Sequence, residues 1–220
     1  AGLKDPNGRY LVNIWHTFWN GNSIAFPMNP DPDLFHDKPV SDKTYTQDLF
    51  DHCRGILDEN PTLTGIYTDS YHYWGNFYNY RKDHFRYADY PLTHDSEGNV
   101  CIWNAMSHLE WSLALEKLTG QFGDHPAGNG IRPYQMFNAF VCDVLHVEDE
   151  EWDNFPWARA IAYQKPSHNS MEGDKSRAAV ETFLKHCALY SFFPSRMDPD
   201  TRFSYAAEYD DLMQKYVTAI

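Results

Sequence analysis

Two acidic residues stand where a β-strand would hand its last side chain to an active site: Asp69, in GIYTDS, and Glu148, which ends CDVLHVE. Each follows a run of β-type residues, and at the carboxyl ends of parallel strands catalytic groups gather. Two such carboxyls facing one cleft supply what glycosidic cleavage needs: an acid to protonate the leaving oxygen, and a base or nucleophile opposite it. Their separation, about 5–5.5 Å for retention and about 6.5–9.5 Å for inversion, is not written in the sequence. The plainer alternatives are a turn or helix-cap role for Asp69 and a solvated acidic turn for EDEE. What favours Asp69 is the loop behind it, SYHYWGNFYNYR, whose Tyr73, Trp74 and Tyr78 make it rich in rings.

Rings are abundant throughout: aromatic residues are 16% of the chain, with seven Trp, fifteen Tyr and fourteen Phe. They serve either as a core of large side chains or as a groove whose rings lie flat on the C–H faces of sugars. Asn129, in AGNG, follows a strand-like piece and is placed to bind a sugar hydroxyl, although an Asn-Gly pair is first of all a turn. Lys165, in YQKP, reaches the cleft or is a surface lysine. Glu110, in NAMSHLEW, reads as an exposed helix charge, with His108 two residues away on a different face.

Other chemistries lack their signatures. Eleven histidines fall into no HExxH or HxH spacing, so no metal and no cofactor is expected. GxSxG is missing, and the Asp-rich NPDPD and MDPDT lack calcium-loop spacing. A net charge of −13 repels nucleic acid and anionic membrane surfaces, which leaves a neutral or cationic partner, and the expected carbohydrate substrate is compatible with that. Cys53, Cys101, Cys142 and Cys187 form no CxxC pair and sit among apolar neighbours, as buried free thiols do, with one or two disulfides as the alternative. No segment approaches the ~20 apolar residues of a membrane span. The N-terminal AGLKDPNGRY has neither a start methionine nor a signal core, which reads as a chain processed or cut from something longer. Compartment and oligomeric state stay open, a secreted or periplasmic location being compatible with a polysaccharide substrate.

The elements that would position these groups alternate. A strand is expected over Tyr10 to Phe18, in the interior, followed by a long Pro- and Asp-rich loop from Phe26 to Asp42. Tyr45, Leu49, Cys53 and Ile56 mark the buried face of a helix from Thr44 to Asp58. Thr64 to Tyr71 is a short strand. A second helix takes Asn104 as N-cap, buries Met106, Leu109 and Leu113, and stops near Gly120. Pro126–Ile131 is strand-like, Tyr134–Phe140 a short helix and Val141–Val147 a strand; Trp157–Lys165 is ambiguous. Arg177–Tyr190 is a helix burying Val180, Phe183, Leu184 and Cys187, and DDLMQKYVTAI is a last one.

Strands alternating with helices predict a parallel sheet with crossover connections. About six strands fall short of the eight in a complete (β/α)₈ barrel of ~250 residues. The expectation is therefore a single domain over residues 1–220, an α/β TIM-like barrel incomplete or trimmed at its N-terminus. A doubly wound sheet is the rival, without the GxGxxG or GxxxxGK[ST] that phosphate-binding versions carry.

The ordered set GIYTDS, YRKDHFRYADYPLTHD, NAMSHLEW, AGNG, CDVLHVE, YQKP and FFPS resembles the catalytic barrel of glycoside hydrolases from polysaccharide-degrading bacteria. The similarity runs from about Tyr10 to the end and covers the C-terminal two-thirds of such a barrel; each motif is soft and the order carries the weight. The resemblance implies Asp69 and Glu148 as nucleophile or acid, with Asp89, Asn129 and Lys165 lining the substrate site. Two other readings compete: a non-catalytic barrel binding carbohydrate through Tyr73, Trp74 and Tyr78, and a lyase acting through Tyr and His.

Overall fold

The computed structural model describes residues 2–17, 21–34, 44–63, 65–69, 77–123, 125–130, 136–148, 154–170, 176–195 and 209–216. The chain divides into two compact units. One comprises Ala1–Thr64 with His72–Asp124, the other Gly65–Tyr71 with His125–Ile220.

In the first unit, β1 (Asn13–Thr17) and β2 (Gly21–Ala25) form an antiparallel hairpin in which Ile14 faces Ile24. Ile14 and Ile24 are each 66% exposed, so the strand expected in the interior is a surface hairpin instead. Its β-branched residues fit a pleated ribbon whether or not a core covers them, and composition alone does not tell the two apart.

Helix α1 (Tyr45–Glu59) opens on a complete capping box, Thr44 accepting from Gln47 N while the Gln47 side chain accepts from Thr44 N. Its buried residues are Thr46, Cys53 and Leu57, and Tyr45 is exposed. Of the apolar stripe read from the sequence, Cys53 is buried and Leu49 and Ile56 are half-buried, while at the two ends Thr46 and Leu57 take the innermost places. The cause is local: the Thr46 hydroxyl is drawn inward to donate to Pro30 O at 2.5 Å, which turns Tyr45 outward.

Strands β4 (Tyr78–Asn79), β5 (Thr93–His94) and β6 (Val100–Trp103) make a small antiparallel sheet with β6 in the centre. β6 runs directly into α2 (Asn104–Gly120). Asn104 is not its cap but its first helical residue, fully buried and donating from Nδ2 to Met28 O. The helix buries Ala105, Ser107, Glu110, Trp111, Leu115 and Leu118, whereas the expected Leu113 is exposed. Of its buried polar groups, Glu110 Oε1 and Asn104 Nδ2 meet backbone groups of neighbouring loops, while Ser112 and Thr119 donate to carbonyls of their own helix.

The second unit holds the parallel sheet. Its strands are β3 (Gly65–Thr68), β7 (His125–Asn129), β8 (Val144–Glu148), β9 (Ser167–Ser170) and β10 (Phe193–Ser195). They lie in chain order, β3-β7-β8-β9-β10, each parallel to the next. The fold is therefore α/β around a five-stranded parallel sheet. A complete eight-stranded barrel is not seen among the described residues. Between β3 and β7 the sequence inserts the whole of His72–Asp124; the later crossovers carry α3 (Asn138–Val141), α4 (Asn154–Ala162) and α5 (Arg177–Tyr190), and α6 (Asp210–Tyr216) follows β10.

Helix α5 begins as read, Ser176 accepting from Ala179 N, and buries Val180, Phe183, Leu184 and Cys187. With Phe155 of α4, Phe192 and Leu212 these form one core, and Val147 of β8 packs against it. Because successive strand residues point to opposite faces, His146 lies on the side of β8 away from that core. All four cysteines are buried and free, as their apolar neighbours predict. No helix of the described residues is long and apolar enough to cross a membrane.

Candidate functional site

Parallel register carries side chains of equal parity across the sheet in a row. Thr68 pairs with Gly128, Asn129 with His146, His146 with His168, and His168 with Phe193. The next residue after Thr68 is Asp69, and its Oδ1 accepts from Asn129 Nδ2 at 2.7 Å. Asp69, Asn129, His146 and His168 thus form a polar row on four successive strands, at the carboxyl ends of β3 and β7 and within β8 and β9. A row of this kind has no place in an apolar core.

Each member is fixed by the backbone around it. Asn129 ends β7 and is 2% exposed; Gly130 follows at φ +77°, a left-handed conformation suited to glycine, and donates to His146 O at 2.9 Å. That turn keeps the Asn129 amide inside the last row. Its Nδ2 holds Asp69, while its Oδ1 is buried without a hydrogen-bond partner among the described residues. Asp69 itself is exposed.

His146 is 7% exposed and stacks on His168 with ring centroids 5.4 Å apart and planes 28° from parallel. Burial pushes its pKa down to about 4, His168 adds to the shift, and the Asp69 charge opposes it. Burial lowers His168 as well. Tyr67, two residues before Asp69 on β3, brings its hydroxyl to 2.6 Å from His146 Nδ1. The phenol is the donor when the neutral ring carries its proton on Nε2. The result is a carboxylate, an amide, a phenol and two neutral imidazoles on one patch of sheet.

The residues picked from sequence distribute as follows. Asp69 and Asn129 come together. Glu148 is the last residue of β8, in register with Ser170 and two positions beyond His146. Lys165 precedes β9, at the amino end of the sheet, and its ammonium donates to Ala139 O, Phe140 O and Cys142 O at 2.8, 2.8 and 2.7 Å. The structure makes it a cap on the end of α3 and does not bring it to Asp69. Tyr78, 42% exposed on β4, and Asp89, whose backbone N–H meets Glu110, belong to the first unit. Tyr73 and Trp74 lie outside the described residues. No three described His, Cys, Asp or Glu side chains are grouped to hold a metal.

Glu110 departs most from its expected exposed role. It is buried at 7% exposure, its Oε1 accepting from Asp89 N at 2.8 Å and Tyr90 N at 3.3 Å, its Oε2 without a partner among the described residues. Burial raises its pKa to about 7, helped by the charges of Asp31 and Asp89. Asp31, 1% exposed, is raised to about 6, again first by burial. The motif NAMSHLEW carries no signal for this pair, since the amides that receive Glu110 belong to Asp89 and Tyr90.

His146, His168 and Tyr67 escaped the sequence reading. Their signal was parity: in IYTD and VLHVE the residues Tyr67, Asp69, His146 and Glu148 fall on alternate positions. No family model, no curated protein and no solved structure matches the chain.

Proposed function

We propose that the chain carries the sugar-cleaving site of a glycoside hydrolase acting on a poly- or oligosaccharide, with Asp69 and Glu148 as its carboxyl pair. The observation that carries the reading is the hydrogen bond from Asn129 to Asp69 at the carboxyl ends of β3 and β7. A carboxylate held on one oxygen by a buried amide keeps its other oxygen oriented, which a nucleophile or base requires. Glu148 stands at the end of the next strand along, where the partner carboxyl of such a pair belongs.

The wider architecture supports a barrel. Five parallel strands in unbroken chain order are wound in one direction, as in a (β/α) barrel, whereas a doubly wound sheet reverses at a switch point. Helices packing on the Val147 side and a polar row on the other fit the same scheme, with residues 1–220 an incomplete barrel.

Asp69→Asn and Glu148→Gln should each abolish release of reducing sugar while leaving circular dichroism unchanged. Full activity in either variant removes that residue from the mechanism. A second reading rests on the Tyr67–His146 contact, since a phenol and a neutral imidazole are the acid and base of an eliminating lyase. Product analysis separates the two: elimination leaves an unsaturated sugar, hydrolysis a saturated one.

A further inference from the structure

We propose that Asp31 and Glu110 form a binding site for a hard divalent cation, Ca²⁺ or Mg²⁺, inside the first unit, with Ser107 Oγ as a further oxygen ligand. The inference uses no part of the carbohydrate reading and involves neither Asp69 nor Glu148.

Four segments of that unit converge on the cluster. Asn104, in the first turn of α2, donates to Met28 O, and Asn29 meets His84 of the 3₁₀ helix Lys82–Tyr87, Nδ2 to Nδ1, at 3.3 Å. Thr46 of α1 ties the same loop at Pro30 O. Just beyond the 3₁₀ helix, Asp89 and Tyr90 donate their backbone N–H groups to Glu110 Oε1. The loop that carries Asp31 is thereby held against the stripe of α2 on which Asn104, Ser107 and Glu110 recur at intervals of three.

Acidic oxygen is left over at this junction. Asp31 is 1% exposed and Glu110 7%. Asp31 Oδ1 accepts from Asp33 N and Glu110 Oε1 from the two amides, while Asp31 Oδ2 and Glu110 Oε2 are buried without a hydrogen-bond partner among the described residues. The hydroxyl of Ser107, fully buried one helical turn before Glu110, is in the same condition. Accepting from two amides does not call for a charge, since a glutamine oxygen would do it. Buried charges are paired or coordinate a metal, because burial strips their hydration. Among the described residues no Lys or Arg pairs with either carboxylate, and the charges that reach them, those of Asp33, Asp89 and each other, are all negative.

The class of cation follows from the donors. All are oxygens, and no third His, Cys, Asp or Glu side chain is grouped with the pair among the described residues. Oxygen-only sets suit Ca²⁺ and Mg²⁺, which complete their shells with carbonyls and water and need no more than one or two carboxylates in the case of Mg²⁺. Two carboxylates also balance the charge of one divalent ion. Burial, with the neighbouring acids, raises Asp31 to about 6 and Glu110 to about 7, so protons compete with the cation below neutrality.

The test titrates the full chain, stripped of metal with EDTA, with CaCl₂ and with MgCl₂ by calorimetry near pH 8 in about 0.15 M NaCl, which screens diffuse attraction to the acidic surface. At least one of the two should bind at a single site with a Kd of roughly 0.1–1 mM, the range of sites with few charged ligands. Glu110→Gln, which keeps an oxygen for the Asp89 and Tyr90 amides, and Asp31→Asn should each weaken binding about tenfold or more. Ser107→Ala should weaken it about two- to tenfold. Glu59→Gln, at an exposed position of α1, should leave it unchanged. Near pH 5 affinity should fall at least about tenfold, as both carboxyls take up protons. Saturating cation near pH 8 should slow amide exchange in α2 and not in β8. No binding of either salt to the parent chain, an equal loss in Glu59→Gln, or full affinity in Glu110→Gln or Asp31→Asn would each overturn the site. The parent chain decides the first of these by itself, whatever the variants do to folding.

Discussion

Asn129 has one good hydrogen bond and one oxygen without a partner among the described residues, and the hydrogen bond has measurable consequences. Losing the amide in Asn129→Ala frees Asp69 to rotate and removes a donor to its charged form. Under the proposed hydrolase reading, hydrolysis should fall roughly 10- to 100-fold, the effect expected when a held catalytic group is displaced. Because Asn129 is buried, stability should also drop, by about 1–2 kcal/mol in urea denaturation. Activity equal to that of the parent would mean that Asp69 needs no holding. At this scale the strand-end positions of Asp69 and Asn129 were legible, since each closes a short β-type run. Those of His146 and His168 were not, since a histidine within a strand shows nothing of its register partner. Glu110 misled for a related reason: an acidic residue on a helix is taken as solvated unless the groups that receive it are known, and those are backbone amides 20 and 21 residues away.

The elements separate into those with strong local grammar and those without. Helix α5 was readable because four apolar residues recur at helical spacing, and the Ser176 cap seen in the structure fixes its start. Strand β9, SHNS, was not; every residue is polar, and it is a strand only because Ser167 and Asn169 are buried in parallel ladders with β8 and β10. Tertiary context overrode propensity there. Lys165 shows the same dependence on context, being a substrate candidate by sequence and a helix cap by structure. Lys165→Met should cost about 1.5–3 kcal/mol of stability, the range for charged hydrogen bonds, with KM unchanged. A raised KM without loss of stability would return Lys165 to the substrate site.

Across the molecule, two buried titrating clusters should respond to pH in opposite senses. Glu110 and Asp31 have folded pKa values raised to about 7 and about 6, so the folded first unit binds more protons than the unfolded chain. Their stabilising contribution is complete below about pH 4 and lost as pH rises through about 7. His146 is lowered to about 4, so its contribution is complete above about pH 6.5 and lost as pH falls through about 4. Amide hydrogen exchange, corrected for its intrinsic pH dependence, should show α2 better protected near pH 5 than near pH 8, and β8 the reverse. Glu110→Gln should flatten the α2 profile alone. Identical profiles in both elements would contradict the burial of one cluster or the other.

Alternation of strands and helices sufficed to read the α/β class and the parallel sheet, since only crossovers join parallel neighbours. The surface hairpin β1-β2 was misplaced because an apolar β-run does not say which sheet it joins. The account stands or falls on where a sugar binds. A crystal structure of Asp69→Asn soaked with a cleavable neutral oligosaccharide tests that directly. It should place a glycosidic bond beside residue 69. A sugar bound elsewhere on the chain, or lying away from the carboxyl ends of β3 and β8, would contradict it.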